Sequence, residues 1–378
     1  MSNPTNRRDF LAAAGAASSF FIMKPSTALG SQANSALSVG LIGAGRRGSF
    51  DAGLFAKNEF AKVSHVCDIY DDQIAEALKK FSGAKTFKNI DDILASDVDA
   101  VLIATPPVLH PEHFEKAVKA RKHIFMEKPA GVTPAGCRRV LAASKIADKT
   151  KRIQVDYQQR YGREYRKAYE IVKSGEIGAI KAIRASWIGG GLPERTGHPQ
   201  SEEKIRNWLF YREMGGDIIV EQNCHNLDVV NWFMGTHPVK AFGYGGRAVR
   251  KHIGNIMDNL AVTFEFGDGT IFSYSANQIT TNNYYDVSET FLCEKGAINV
   301  SRQGYKLYKG TSRKQPPIEV ATDYDITMDS VNQFVEGARS GKIINVGPEA
   351  VESTLTAIMA RESIYTGKEL TYDKVASM

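Results

Sequence analysis

The 378-residue sequence has little cysteine, and what it has is scattered. Cys67, Cys137, Cys224 and Cys293 lie far apart and form no C-x-x-C pair, so neither a zinc ribbon nor a disulfide framework is specified. A long basic block is also missing. The 48 Lys and Arg residues are spread along the chain against 42 Asp and Glu, leaving a net charge of +6 without the interleaved aromatics of a nucleic-acid groove, so nucleic acid is excluded as a partner. The apolar run Leu11–Met23, at thirteen residues, is too short to cross a bilayer. His110 and His113, in H-P-E-H, have a spacing that could suit a metal, but Pro111 reads as the opening of a helix with the histidines in its first turn. No metal site is expected.

What is present begins with an address. Asn6–Leu11 reads N-R-R-D-F-L, followed by the short apolar run, Lys24, Pro25 and small residues to about Ala33. Adjacent arginines, a mild apolar segment and a small-residue exit occur in the order of a twin-arginine export signal over residues 1–33. No cysteine precedes Cys67, which argues against a lipid anchor. The expectation is a periplasmic or otherwise extracytoplasmic protein, carried by the twin-arginine machinery already folded, that begins near residues 31 to 36 and has no membrane anchor. At 43% hydrophobic, the remaining chain can bury a large core and is long enough for two domains.

From Ala36 the sequence reads A-L-S-V-G-L-I-G-A-G-R-R-G. A strand, Leu37–Ile42, runs into Gly43, Gly45 and Gly48 in G-x-G-x-x-G spacing, and a helix follows to about Lys57. These glycines permit a tight turn, close approach of backbone to a pyrophosphate, and close helix–strand packing. A second strand, Lys62–Ile69, contains Asp68, twenty residues past Gly48, where a carboxylate accepts hydrogen bonds from the adenosine ribose. A ribose phosphate would meet like charge there, so NAD is favoured over NADP. Alternation continues with helices over Asp71–Phe81, Asp91–Ala95, Pro111–Ala120 and Thr133–Asp148, and strands over Ala100–Ala104, His123–Met126 and Ile153–Tyr157. This implies a parallel α/β sheet with right-handed crossovers.

Two strand ends carry unusual punctuation, A-T-P-P-V-L-H at Ala104–His110 and M-E-K-P-A-G at Met126–Gly131. Ligands of such sheets bind at those ends. Lys128 emerges there, where a cation can hold a substrate hydroxyl and stabilise the alkoxide that develops as hydride leaves. Further on, E-Q-N-C-H-N-L-D follows M-G-G-D. Helical spacing over Ile218–Met234 places Glu221, His225, Asp228 and Trp232 on one stripe and an apolar set on the other, with Asp217 as N-cap.

Taken in order, V-G-L-I-G-A-G-R-R-G, V-C-D-I-Y, A-T-P-P-V-L-H, M-E-K-P and G-G-D-I-I-V-E-Q-N-C-H-N-L-D resemble the Gfo/Idh/MocA oxidoreductases, relatives of glucose-fructose oxidoreductase and inositol dehydrogenase. The resemblance implies a Rossmann NAD(P)-binding domain over 36–156 and an α+β domain over 157–378. The second domain has an open, mainly antiparallel sheet that bears substrate on one side and pairs subunits through the other, giving a homodimer or homotetramer. The last helices could pack back on the first domain. The catalytic set implied is the lysine of E-K-P, Lys128, with a D-x-x-x-H pair whose histidine is His225. Glu221 stands at the aspartate position and Asn223 at a position usually small. This leaves open whether Glu221 orients the histidine, contacts substrate, or both. Arg46 and Arg47 match positions beside the pyrophosphate. Thr105, Pro106 and His110 are expected on the nicotinamide side, Glu127 among the cofactor contacts, and Arg160, Tyr161 and Gln222 on the substrate side. The glycine-rich loop Trp187–Pro199 is expected to face substrate or a second subunit.

The function this implies is NAD-dependent oxidation of a secondary hydroxyl of a sugar, polyol or glycoside, with Lys128 and His225 as the acid/base pair. One alternative is redox-neutral glycoside cleavage on tightly bound NAD, by transient oxidation and elimination. Another is a non-catalytic binding protein on the same scaffold.

Overall fold

The computed structural model describes residues 36–280, 284–310, 312 and 314–378, so the expected export signal lies outside the described residues. Strand and helix alternate from the start: β1 (Leu37–Ile42), α1 (Arg46–Lys57), β2 (Ala61–Cys67), α2 (Asp71–Lys80), β3 (Lys85–Phe87), α3 (Ile90–Leu94), β4 (Ala100–Ile103), α4 (His110–Lys119), β5 (His123–Met126), α5 (Pro134–Ile146) and β6 (Ile153–Val155). Every pairing is parallel, in the order β3-β2-β1-β4-β5-β6. β4 and β5 are buried at each residue, as strands covered by helices on both faces must be. The order reverses at β1, so the carboxyl ends of β1 and β4 form the switch point at which such sheets bind their ligands. The edge strand β3 has no counterpart in the sequence reading, because three residues are too few to show a period.

The second sheet has nine strands: β7 (Ile180–Ile188), β8 (Lys240–Gly246), β9 (Asn259–Glu265), β10 (Ile271–Asn277), β11 (Asp286–Cys293), β12 (Gly296–Ser301), β13 (Gly304–Lys309), β14 (Ile318–Ala321) and β15 (Leu370–Thr371). Its order is β14-β13-β12-β11-β7-β10-β9-β8-β15, antiparallel except where β7 meets β10. The expected hairpin forms between β9 and β10, with Phe264 opposite Phe272 and their rings stacked at 5.0 Å. Burial alternates strictly along both strands, so one face is packed and the other open. The packed face lies under α6 (Arg163–Lys173), α7 (Cys224–Met234) and α9 (Gly347–Thr366).

Two helices return to the first sheet. α8 (Thr327–Ser340) inserts Phe334 edge-on against Phe55 of α1 and Phe125 of β5, at 5.8 and 5.4 Å, and α9 lies along α5. A short α10 (Tyr372–Ser377) ends the chain. Among the described residues no helix is long and apolar enough to cross a membrane.

The helix expected over Ile218–Met234 is broken. A single turn, Ile218–Glu221, is followed by Gln222 and Asn223 and then by α7. The amides of Gln222 and Asn223 both donate to the Ile218 carbonyl at 2.9 Å, and the second of these bonds widens the turn as a π-bulge does. The 100° spacing therefore fails between Glu221 and His225. Asp217 does cap the turn. It sits at φ +84°, held by Ile218 N–H and Met257 N–H on Oδ1 (2.7 and 3.1 Å) and by the Tyr365 hydroxyl on Oδ2 (2.6 Å).

Candidate active site

The turn after β1 has the shape of a dinucleotide cradle. Gly43 has φ +91°, and a Cβ there would come within 2.8 Å of the Ala104 carbonyl; one on Gly48 would stand 2.0 Å from the Gly43 carbonyl oxygen. Neither position tolerates a side chain, so β1, β4 and α1 close up only with glycine. Gly45 N-caps α1 and presents the helix N-terminus. Asp68, just beyond β2, accepts from Ala44 N–H at 2.8 Å and Tyr70 N–H at 2.9 Å, which aims its carboxylate over the turn. Burial raises its pKa. These residues fit NAD.

The two arginines of the motif part company. Arg46 is exposed. Arg47 turns inward, contrary to the expected place beside the pyrophosphate: its Nε lies 2.6 Å from Glu127 Oε1 and 3.0 Å from Asp51 Oδ2, and its Nη2 donates to Asp156 Oδ2 (3.1 Å) and Gln158 Oε1 (3.0 Å). The physical reason is the company it keeps. Asp51, Glu127 and Asp156 are all buried, and their one shared cation is this guanidinium. Burial pushes Asp156 up to about 7 and Asp51 well above the carboxylate range. Burial also opposes charge on Glu127, but Arg47 and Lys128 outweigh it and hold that carboxyl down. Glu127 is thus a partner of Arg47 rather than an open cofactor contact.

The next residue points the other way. Lys128 Nζ donates to Glu221 Oε1 at 2.6 Å and to the Glu221 carbonyl at 2.5 Å, with the two side chains only 11% and 14% exposed. Burial works against the ammonium, yet Glu221 and Glu127 raise its pKa above the ordinary value. Glu221 is therefore committed to the lysine. Among the described residues no carboxylate is hydrogen-bonded to the His225 ring. Its Nδ1 is buried without a partner. Burial, followed by the charges of Lys128, Arg302 and Arg47, keeps its pKa well below 6.5, so the imidazole is neutral. The ring stacks on Trp187 at 6.0 Å and 18°, and Tyr157 meets it edge-on at 6.1 Å. Asn223, beside it, has both amide atoms buried and unpartnered.

Other expected site residues have structural partners. His110 is buried with Nδ1 2.7 Å from the Pro129 carbonyl and Nε2 2.8 Å from that of Thr105, so it staples the two strand-end loops together instead of lining the cofactor. Thr105 Oγ1 bonds His113 Nδ1 at 3.0 Å, and Pro106 starts the turn before α4. Arg160 is bidentate to Asp228 at 2.8 and 2.8 Å and lies over Trp232, while Tyr161 is buried. Trp232 stacks on Tyr169 at 4.6 Å, which explains an indole on a polar stripe. Gln222 Oε1 accepts from Gln278 at 2.9 Å. The loop Trp187–Pro199 reaches the first sheet's side, where Arg195 donates to Gln73 at 3.2 Å. Trp187, expected at the start of a loop facing substrate or a second subunit, instead lies within β7. Alternation along β7 puts it on the same face as the buried Ile183 and Ala185, a signal that was available.

The oxidoreductase family with an NAD-binding Rossmann fold, Gfo/Idh/MocA, matches residues 37–157, and the Gfo/Idh/MocA C-terminal domain matches 165–299. Myo-inositol 2-dehydrogenase of Thermotoga maritima is 26% identical over 62% of this chain, which spans 66% of that protein's length, just under two thirds. Inositol 2-dehydrogenase of Ralstonia nicotianae is 25% identical over 90% of this chain and 96% of its own. Among solved structures, levoglucosan dehydrogenase in complex with NADH and L-sorbose superposes with a TM-score of 0.77 at 18% identity, over 90% of this chain and 100% of that one. Apo scyllo-inositol dehydrogenase from Lactobacillus casei gives 0.73 at 19%, over 89% and 98%. Identities this low speak to fold, and the fold is the one the cradle and the two sheets describe. The chain belongs to the Gfo/Idh/MocA family of oxidoreductases with an NAD-binding Rossmann fold.

Proposed function

We propose that the protein oxidises a secondary hydroxyl of a cyclic polyol, sugar or glycoside. The observation that carries this reading is the buried Lys128–Glu221 pair beside a neutral, partly unpartnered His225 at the carboxyl end of β5. NAD, when bound in the cradle, supplies the hydride acceptor. His225 takes the hydroxyl proton, and the ammonium of Lys128 steadies the oxygen as negative charge develops on it. Glu221 fixes the lysine and not the histidine. Unmet hydrogen-bonding capacity at Asn223 and His225 favours a ligand rich in hydroxyls over an apolar alcohol. The inositol and levoglucosan dehydrogenases among the similar proteins support the same substrate class.

Three parts of the proposal rest on sequence pattern and surface character. The arginine pair near the N-terminus supports export by the twin-arginine route. The open face of the second sheet, with exposed Tyr244, Ile271, Leu292 and Tyr308, supports a homodimer or homotetramer. An exported enzyme far from free NAD has reason to keep its cofactor, which favours redox-neutral glycoside cleavage as a second reading.

The test is NADH formation on inositols, anhydrosugars, aldoses and aryl glycosides, with aglycone release followed in parallel. Lys128→Met and His225→Ala should each lower kcat/KM by on the order of 10²–10⁴-fold while NAD binding survives. Full turnover in either variant overturns the assignment. Aglycone release without added NAD selects the second reading.

A further inference from the structure

Arg47 is spent on buried carboxylates, yet the pyrophosphate of NAD carries two charges over the N-terminus of α1. A different arginine reaches that place. Arg195 Nη2 lies 3.8 Å from where a Cβ on Gly45 would stand, so its guanidinium hangs over the glycine turn from the side of the second sheet.

Its backbone is gripped. Asn207, 4% exposed, accepts from Arg195 N–H at 2.8 Å and donates to the Arg195 carbonyl at 3.0 Å. Asn207 is itself held by Glu203, whose carboxylate also meets His198 Nε2 (2.7 Å) and the Tyr211 hydroxyl (3.2 Å). The same segment is tied to the first sheet's helices. Arg206 is bidentate to Asp72 at 2.8 and 3.0 Å and lies 3.9 Å over the Tyr70 ring, just after the ribose carboxylate Asp68. Arg195 Nη1 rests on Gln73 Oε1 at 3.2 Å. Among the described residues no carboxylate lies within salt-bridge distance of Arg195. A positioned cation without an anion, aimed at a phosphate cradle, has one evident partner.

We propose that Arg195 is a ligand of the NAD pyrophosphate, and that residues 195–206 form a strap across the cofactor, anchored by Arg206 on Asp72, which slows its release. This extends the cofactor site to the second half of the chain and rests on the NAD assignment. It bears on the choice between net oxidation and redox-neutral turnover, because a retained cofactor suits the latter.

The experiment compares wild-type protein, Arg195→Ala and Arg195→Lys, measuring affinity for NAD and for adenosine by calorimetry at two salt concentrations, together with the nucleotide that co-purifies. Loss of a charge-assisted contact to phosphate should weaken NAD binding by about 10–100-fold in Arg195→Ala. The lysine variant should recover part of the loss, and the salt dependence of binding should fall. Adenosine, which carries no phosphate, should bind all three proteins alike. Unchanged NAD affinity in Arg195→Ala, or an equal loss for adenosine, overturns the proposal while leaving the NAD site standing. Wild-type protein that binds no NAD removes both.

Discussion

Glu127 and Lys128 are neighbours at the end of β5, and their side chains serve opposite ends. Glu127 turns into a buried group of three carboxylates around one guanidinium, where the carboxylates outnumber the cation and both Asp51 oxygens lack a hydrogen-bond donor. Lys128 turns to a group with one ammonium, one carboxylate and one neutral imidazole, where donors and acceptors are left over. The first group is rich in carboxyls, and burial raises the pKa of two of them, Asp51 and Asp156. The second is nearly balanced and has unmet valence. Charge density alone would have pointed to the first as the reactive centre, and its perturbed carboxyls at Asp51 and Asp156 would have seemed to agree. Both groups keep unpartnered atoms, Asp51 Oδ1 and Oδ2 in the first and His225 Nδ1 in the second, so the difference is charge balance: the first has more carboxylates than cations, and the second pairs one ammonium with one carboxylate beside a neutral imidazole.

The most severe way to break this comparison is Arg47→Met. It leaves Asp51, Glu127 and Asp156 buried with no cation among them, so stability should fall by about 3–5 kcal/mol in urea unfolding, with NAD affinity preserved where the variant is folded. The reverse outcome, intact stability with weakened NAD binding, would show that the guanidinium faces the cofactor and that the two groups are not distinct.

Much of this was legible beforehand. The glycine spacing, Asp68 and the strand–helix alternation follow from local rules of short range, and β1, α1, β4 and β5 lie where those rules put them. Lys128 and Glu221 come together because both motifs sit at element ends that the topology makes adjacent. What could not be read was partnership. Nothing in R-R-G says that the second arginine will meet Asp51 one turn on, and Glu127 and Asp156 at the ends of neighbouring strands. Nor does helical periodicity reveal a widened turn: Ile218–Met234 satisfies the pattern throughout, and only the double use of the Ile218 carbonyl interrupts it. The bidentate hold of Asp228 on Arg160 is equally silent in the sequence, since a buried partner far along the chain leaves no local signature.

A smaller effect sharpens the second group. In Glu221→Gln the arm keeps its length and loses its charge. Lys128 then has burial acting against its ammonium without the carboxylate that offsets it, so its pKa should drop. Activity should fall by about tenfold, roughly 1.4 kcal/mol, and the alkaline limb of kcat/KM should move to lower pH. An unmoved alkaline limb, with the loss appearing only in KM, would mean that Glu221 serves substrate rather than the lysine.

The finest test concerns a carboxylate that belongs to neither group. Glu289 of β11 is fully buried beneath α7, accepting from Asn226 Nδ2 at 2.6 Å and the Tyr165 hydroxyl at 3.2 Å, while the Tyr274 hydroxyl donates to Asn226 Oδ1 at 3.2 Å. Burial raises its pKa to about 8, against the pull of Asn226, Tyr165 and Arg302. It thus escapes the need for a cation by keeping its proton. From the ordinary value of 4.5 up to about 8 the folded chain holds one proton more than the unfolded chain. The stability this group contributes is complete below 4.5 and declines as pH rises through that window, by at most about 1.4 kcal/mol per unit. Glu289→Gln copies the protonated shape and cannot ionise. Its unfolding free energy relative to wild type should therefore rise between about pH 5 and pH 8, and a constant difference across that range would mean that the carboxyl is already charged in the fold and that some cation reaches it after all.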